Sequence, residues 1–265
     1  MKKLGFIGCG NMAKAMIRQI ITKGLCQPED VIASALRWET LETAHNELGI
    51  TVAHDNRTVV READIVFLAI KPQDYKNVIT EIRYEIEKQL IVTVAPGKTL
   101  KWVEETFERD VKIVRTMPNT PCMVGEGVTG ACKNSFVTEA EFAEIMKLLS
   151  AFGEAIEVKE SVMDVVGSVG GSAPALVYLF IEAMADAAVA DGMHRDVAYR
   201  FATQSVLGSA KMVRDSGLHP GELKDQVCSP GGIAIEAVLE LEQHNYRSAV
   251  IEAVRACTKK SKDLF

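Results

Sequence analysis

The sequence predicts an α/β fold, with a doubly wound, mostly parallel sheet in the N-terminal part and an all-α C-terminal part. Up to about Lys159, short apolar runs alternate with amphipathic stretches, which is typical of a parallel sheet covered by helices on both faces. Beyond Lys159 only helical patterns follow. A glycine-rich turn also stands between the first strand and the first helix. We therefore expect a Rossmann-type domain over residues 1–159 and a helical substrate and dimerisation domain over residues 160–265.

The predicted strands are short, apolar and bounded by turn residues. In chain order they cover residues 4–8, 30–34, 65–70, 90–95 and 112–117, with added strands at 128–132 and 156–158. Helices are predicted where apolar residues recur at helical spacing and Gly or Pro marks an end. They cover residues 11–23, 38–48, 73–87, 100–108, 138–152, 174–191, 195–215, 221–228, 233–243 and 246–261.

Composition excludes several functional classes. A net charge of −6 with interspersed signs gives no electrostatic footprint for nucleic acid. The six cysteines are scattered without a C-x-x-C pair or a histidine at metal-ligand spacing, so we expect reduced thiols, a cytoplasmic protein and no metal site. The longest uncharged run, residues 165–181, is interrupted by Gly170, Gly171 and Pro174, and we expect it not to span a membrane. These features predict a soluble protein.

The helix predicted at residues 174–191 is apolar nearly all round. The helical half offers little interior in which to bury such a helix, so we expect it to pack against a second subunit in a homodimer or higher homo-oligomer. The alternative is an ordinary core helix within one chain.

The turn Gly8-Cys9-Gly10-Asn11-Met12-Ala13 predicts a dinucleotide site. Gly8 permits a tight turn, Gly10 lets a pyrophosphate approach the backbone, and Ala13 allows close packing of helix on strand. The backbone N–H groups of Gly10, Asn11 and Met12 then face the phosphates at a helix N-terminus.

The end of the second strand indicates which dinucleotide binds. An NAD site usually has an Asp or Glu here for the ribose 2′-hydroxyl, and this sequence has none. Ser34 can donate a hydrogen bond to a 2′-phosphate and Arg37 can pair with it, which predicts NADPH (NADP+) in preference to NADH. The alternative for Arg37 is an ordinary surface arginine.

Six segments, in order, resemble the pyrroline-5-carboxylate reductase family over essentially the whole chain. They are Phe6–Ala13, Ala69-Ile70-Lys71-Pro72, Val94-Ala95-Pro96-Gly97, Arg115-Thr116-Met117-Pro118-Asn119-Thr120-Pro121, His219-Pro220-Gly221-Glu222-Leu223-Lys224-Asp225 and Ser229-Pro230-Gly231-Gly232. The resemblance implies NADPH-dependent reduction of the C=N bond of 1-pyrroline-5-carboxylate to L-proline by hydride transfer.

The resemblance also implies roles for particular residues. Asn56, Ala69, Ile70, Lys71 and Pro72 would line the adenosine and ribose side, while Ala95, Pro96, Gly97 and Asn119 would lie near the nicotinamide. The substrate would be enclosed by Met117, Thr120, Gly170, Gly171, Ser172, Leu176, Gly231, Gly232, Ile233 and Ala234, partly from different subunits. For three of these segments a purely structural role remains an alternative to ligand binding. Lys71 would then be a solvated lysine at a strand end, residues 117–121 a rigid turn, and residues 229–232 an ordinary Pro-Gly loop.

The substrate-facing segments depart from the family pattern. Hydroxyl-bearing residues usual in the family are absent at Gly170, Leu176 and Ala234, and in one form of the pattern also at Ile233. We identify no side-chain acid or base; since Ala234 stands where the family has Thr, we expect water or a pre-protonated substrate to supply the proton. Two alternatives to proline formation remain: reduction of a different, more apolar cyclic imine, and a non-catalytic NADP(H)-binding sensor.

Overall fold

A computed structural model describes residues 2–263 and contains one eight-stranded sheet. The strands are β1 (Leu4–Ile7), β2 (Val31–Ser34), β3 (Thr51–Val52), β4 (Ile65–Leu68), β5 (Leu90–Thr93), β6 (Lys112–Met117), β7 (Gly127–Lys133) and β8 (Gly153–Glu157). Their spatial order is β3-β2-β1-β4-β5-β6-β7-β8, and every pair is parallel except β6 with β7. The predicted α/β fold class is confirmed.

The sheet is buried on both faces because successive side chains of its apolar strands point to opposite sides. Phe6 faces one core, where it stacks on Phe67 with ring centroids 4.6 Å apart. Ile7 faces the second core, which also contains Tyr75 and Phe107. A parallel sheet of this kind binds ligands at its carboxyl edge.

Seven helices precede residue 172 in the described chain, and five follow. They are α1 (Asn11–Thr22), α2 (Trp38–Leu48), α3 (Asn56–Glu62), α4 (Tyr75–Ile82), α5 (Leu100–Phe107), α6 (Glu139–Leu149) and α7 (Met163–Val166), then α8 (Ala173–Ala190), α9 (Arg195–Ser216), α10 (Pro220–Val227), α11 (Ile233–Gln243) and α12 (Tyr246–Asp263). Sequence patterns missed α3, which is short and begins where the Asp55 side chain accepts a hydrogen bond from the Thr58 N–H at 2.7 Å. They also made α4 too long at both ends.

The contacts divide the chain into two compact units. One runs up to Gly171 and also includes the chain from Thr258 onward, and the other is Ser172–Cys257. The boundary predicted from the sequence, between residues 159 and 160, lies earlier than this division and stays a prediction about domain organisation.

In the second unit, α8 packs along α9 but has few buried side chains. Within the single chain Ala185 is its one buried residue, and Tyr178, Leu179 and Phe180 are exposed. By length and hydropathy alone, the 31-residue helical run Glu160–Ala190 could cross a membrane. The sequence predicted that Gly170, Gly171 and Pro174 interrupt the uncharged run at residues 165–181. In the structure Gly167–Gly171 form a π-helical turn, and a bend at Ser172 separates this turn from α8. That the run does not span a membrane stays an expectation.

Candidate functional site

The glycine-rich turn after β1 is shaped by a close approach of two strands. Gly8 has φ +91°, and a Cβ built on it would lie 2.4 Å from the Ala69 carbonyl oxygen. Its N–H donates to the Ser34 carbonyl at 2.9 Å. Only glycine combines this positive φ with so little space, because any side chain would push the loop after β4 away.

The N-terminus of α1 is open to an anion. Gly10 is its N-cap in an extended conformation, no side chain caps the helix, and the first turn has no acidic residue. A Cβ on Gly10 would meet nothing within 4 Å, so the space on the Cβ side of Gly10 is open. Ala13, 1% exposed, packs into the core one turn later. Free N–H groups and the helix dipole suit this space to a pyrophosphate.

A chain of polar groups lies at the end of β2. The buried Ser34 hydroxyl donates to Asn56 Oδ1 at 2.7 Å, and Asn56 Nδ2 donates to Glu81 Oε2 at 2.8 Å. Since Glu81 can only accept when ionised, it fixes the orientation of the Asn56 amide. The Ser34 proton is thereby directed at Asn56, and Ser34 would have to rotate to donate it to a phosphate.

Arg37 is the cation nearest in sequence to Ser34. It precedes α2 and is exposed, and within residues 2–263 its side chain takes part in no hydrogen bond or ion pair. Beside it in sequence, Trp38 stacks on His54 with ring centroids 4.4 Å apart. The guanidinium of Arg37 is therefore available to a phosphate group.

The loops after β4 and β5 are neighbours because these strands pair in parallel. Ala69–Pro72 follows β4, and its Ala69 N–H donates to the Ile7 carbonyl at 2.8 Å. Ala95 is buried, Pro96 is exposed and Gly97 has φ +74°. Both loops stand at the carboxyl edge, on the same edge as the glycine turn.

Asn119, after β6, is a brace between two segments of the first unit. Its Nδ2 donates to the Gly170 carbonyl at 3.0 Å, and its Oδ1 accepts from the Val128 N–H at 2.9 Å. Both ends of its amide are thus engaged by the protein. Thr120, the next residue, is exposed.

The π-helical turn Gly167–Gly171 has little room for side chains. A Cβ on Gly167 would lie 3.0 Å from Met117 Cε, and one on Gly171 would lie 3.6 Å from it. Met117 thus lies against this turn, and the end of its side chain would have to move to admit a Cβ at Gly167.

The C-terminal end of α12 holds the same turn by hydroxyl groups. Thr258 Oγ1 donates to Ser168 Oγ at 2.9 Å, and Ser261 Oγ donates to Asp164 Oδ1 at 2.9 Å. Ser168 in turn donates to the Asp164 carbonyl at 2.8 Å. The predicted substrate residues Gly170, Gly171 and Ser172 therefore lie in or next to a segment that is braced from two sides.

The other predicted substrate residues belong to the second unit. Gly231 has φ +66°, and Gly232 is the N-cap of α11 without a side-chain hydrogen bond to the helix. Ile233 is 91% exposed, whereas Ala234 is partly buried. Leu176, partly buried, lies in the first turns of α8. The α11 N-terminus therefore offers uncapped N–H groups beside an apolar side chain.

Neither buried thiol near the glycine-rich turn and α1 is an activated nucleophile. Burial raises the pKa of the Cys9 thiol to about 11, and burial raises that of Cys122 to about 11 as well. Both thiols therefore stay protonated near neutral pH. Across the described part of the chain, no group of three or more His, Cys, Asp or Glu residues is arranged to hold a metal ion.

Three structurally important residues gave no signal in the sequence. Glu81 orients Asn56, and the Tyr75 hydroxyl joins the ends of two strands. Glu160 accepts from the Leu100 N–H at 2.6 Å and pairs with buried Arg115 at 3.0 Å. All these contacts join residues far apart in the chain except that of Tyr75 with Leu68, so no local pattern reveals them.

Comparison with known proteins agrees with this geometry. A family model described as pyrroline-5-carboxylate reductase dimerisation matches residues 160–264, and one described as NADP oxidoreductase, coenzyme F420-dependent, matches residues 3–97. A protein of Escherichia coli named pyrroline-5-carboxylate reductase is 45% identical over 264 residues, 99% of this chain and 98% of that protein. The chain belongs to the pyrroline-5-carboxylate reductase family.

Solved structures of pyrroline-5-carboxylate reductases share the fold. The enzyme from Coxiella burnetii has a TM-score of 0.93 and 31% identity, covering 99% of this chain and 98% of that one. The Plasmodium falciparum pyrroline carboxylate reductase, solved with NADP bound, has a TM-score of 0.89 and 31% identity, covering 99% and 97%. The family resemblance predicted from the six sequence segments is confirmed.

Proposed function

We propose that the protein catalyses NADPH-dependent reduction of 1-pyrroline-5-carboxylate to L-proline. The observation that carries the proposal is the uncapped N-terminus of α1 behind Gly8 and Gly10, in a chain of this family. The open space at Gly10 fits a pyrophosphate, since the protein brings free N–H groups there and no competing carboxylate.

Different residues along the carboxyl edge of the sheet bind different parts of the cofactor. Gly8, Gly10, Asn11 and Met12 hold the pyrophosphate by their backbone. The adenosine ribose and its 2′-phosphate are bound by Ser34, Arg37 and Asn56. The ribose side is lined by Ala69, Ile70, Lys71 and Pro72, and the nicotinamide side is lined by Ala95, Pro96, Gly97 and Asn119. We infer a preference for NADPH over NADH, because β2 ends in a serine and is followed by an exposed arginine rather than by an acidic residue.

When bound, the reduced nicotinamide supplies a hydride to the iminium carbon of the substrate. The protein acts mainly by positioning and by excluding water, since a protonated cyclic imine is already a good hydride acceptor. In this proposal the glycine segments 170–172 and 231–234 offer backbone N–H groups to the substrate carboxylate, and Met117, Thr120 and Leu176 are the other substrate-binding residues. Ala234 cannot donate a proton, so water or the pre-protonated imine provides it.

The helical region forms a homodimer or higher homo-oligomer in this proposal. The exposed apolar side chains of α8 need cover, and the dimerisation model matches the region that contains them. A subunit interface would cover the apolar side chains of residues 160–190, so no membrane is needed to account for them. The family's dimerisation model matches residues 160–264, which include this segment. Free cysteines suit a cytoplasmic location.

A substrate panel tests the proposal. NADPH oxidation is followed with 1-pyrroline-5-carboxylate, with uncharged 1-pyrroline and with a larger six-membered imine acid. We expect turnover of the first, with proline identified as the product. Turnover of only the uncharged imine would instead support the more apolar substrate that exposed Ile233 favours. NADPH binding without turnover of any imine would support a sensor and refute the proposal.

A further inference from the structure

Tyr75 is a fully buried residue that joins the ends of two neighbouring strands. It is the first residue of α4 and is 0% exposed. Its hydroxyl donates to the Leu68 carbonyl at 2.6 Å and accepts from the Val94 N–H at 3.2 Å. Burial raises the pKa of this phenol, although the N–H groups of Val94 and Ala95 act in the opposite direction. The hydroxyl therefore keeps its proton and remains a donor to Leu68.

The two partners of Tyr75 stand where the sheet ends. Leu68 is the last residue of β4 and Val94 directly follows β5. The parallel ladder between these strands stops at Leu68 and Thr93, after which the chain separates into the loops Ala69–Pro72 and Ala95–Gly97. Beyond the ladder, the Tyr75 hydroxyl supplies hydrogen bonds to both strand ends at once. The starts of the two loops are thus joined through one oxygen atom.

We propose that Tyr75 is a positioning residue that fixes the spacing between the ribose-side and nicotinamide-side loops of the cofactor site. The inference rests on the proposed function, which assigns these loops to NADPH. The adenosine end depends on Ser34, Arg37 and Asn56, which lie on or next to β2 and α3. The loop Ala69–Pro72 also serves the adenosine ribose side, but a ligand that contacts this loop alone does not depend on its spacing from Ala95–Gly97. Removing the Tyr75 hydroxyl should therefore weaken a ligand that reaches both loops more than one that reaches only the adenosine side.

Tyr75→Phe tests this with two ligands. It retains the buried ring but leaves Leu68 and Val94 without their shared partner. By calorimetry, the Kd for NADPH should rise about tenfold, the loss expected when one buried hydrogen-bonded tie is removed. The Kd for 2′,5′-ADP, which lacks the nicotinamide half, should change less than about twofold. Tyr84→Phe is the matched control, because Tyr84 is 77% exposed and packs under Arg83, and it should change neither constant.

Two results would overturn the inference: an unchanged Kd for NADPH, or an equal weakening of NADPH and 2′,5′-ADP, which indicates general loss of structure. A second measurement needs no variant. In the wild-type protein without cofactor, the Val94 amide should exchange with solvent far more slowly than exposed loop amides, and fast exchange there contradicts a preset spacing. If wild-type protein fails to bind NADPH, the proposed function fails; if it binds and Tyr75→Phe binds equally, only this inference fails.

Discussion

Removal of the Arg37 side chain is the sharpest test of cofactor choice. The arginine is exposed and, within the described chain, unpaired, whereas the neighbouring Ser34 hydroxyl is directed at Asn56. A 2′-phosphate arriving at the end of β2 would therefore find Arg37 as its ready cation. Arg37→Ala should weaken binding of NADPH and leave the fold intact, because no internal contact is lost.

The size of the effect follows from the exposure of the guanidinium. A charge-assisted hydrogen bond contributes about 1.5–3 kcal/mol when shielded from water. Exposed ion pairs contribute only about 0.2–1 kcal/mol, but the phosphate has close to two charges. An intermediate loss of about 1–2 kcal/mol corresponds to a KM for NADPH that is roughly 5- to 30-fold higher.

Steady-state kinetics with both cofactors measures this loss. The KM for NADH should stay within about twofold, since NADH has no 2′-phosphate, and the NADPH effect should shrink at high salt because exposed charges are screened. Arg109→Ala is the control for removing an exposed arginine elsewhere, because Arg109 precedes the amino end of β6 and its substitution loses only the hydrogen bond to the Arg83 carbonyl at 3.1 Å. If Arg37→Ala changes the KM values of NADPH and NADH by the same factor, our account of the 2′-phosphate site is wrong.

Three other substitutions test other parts of the structure. Gly8→Ala should lower the free energy of unfolding by about 2–4 kcal/mol and abolish tight NADPH binding, because the new side chain meets both a positive φ and a steric clash. Denaturant unfolding measures the loss of stability and calorimetry measures the loss of binding. Near-normal NADPH binding would contradict this prediction. Thr258→Val should lower the free energy of unfolding by about 1 kcal/mol, because the hydrogen bond to Ser168 is lost. Thr258→Ser keeps the hydroxyl and should retain most of this stability. Equal melting temperatures of the two variants would argue that the hydrogen bond does not stabilise the fold. The pKa of Glu141 is lowered to about 2, chiefly by its hydrogen bond with Lys112 at 2.5 Å. The ionised carboxylate therefore stabilises the fold at pH values above its ordinary pKa of 4.5, and this stabilisation is lost as the pH falls toward 2. Glu141→Gln should therefore be less stable than wild type by about 0.5–1 kcal/mol at pH near 7, with the difference closing in acid, and a constant difference across this pH range would refute the ion-pair account.

The fold could be predicted from the sequence, and so could the position of the glycine turn between β1 and α1. Apolar strand runs and a glycine turn between β1 and α1 are local patterns in the sequence. They predict a dinucleotide-binding sheet, because only glycines at this spacing satisfy the backbone conformation that such a turn needs. Gly8 illustrates this, since it combines a φ of +91° with an approach to the Ala69 carbonyl that leaves no room for a side chain. Helix α3 escaped prediction because seven residues are too few for a clear periodicity.

The tertiary structure decided how the site residues are held. Asn56 and Asn119 were both predicted to meet the cofactor, but only the folded chain shows that Glu81 orients one and that Gly170 and Val128 engage the other. Local sequence patterns report what a residue does to its own segment. A hydrogen bond across 51 positions, such as that of Asn119 with Gly170, exists only once the sheet has brought the two segments together.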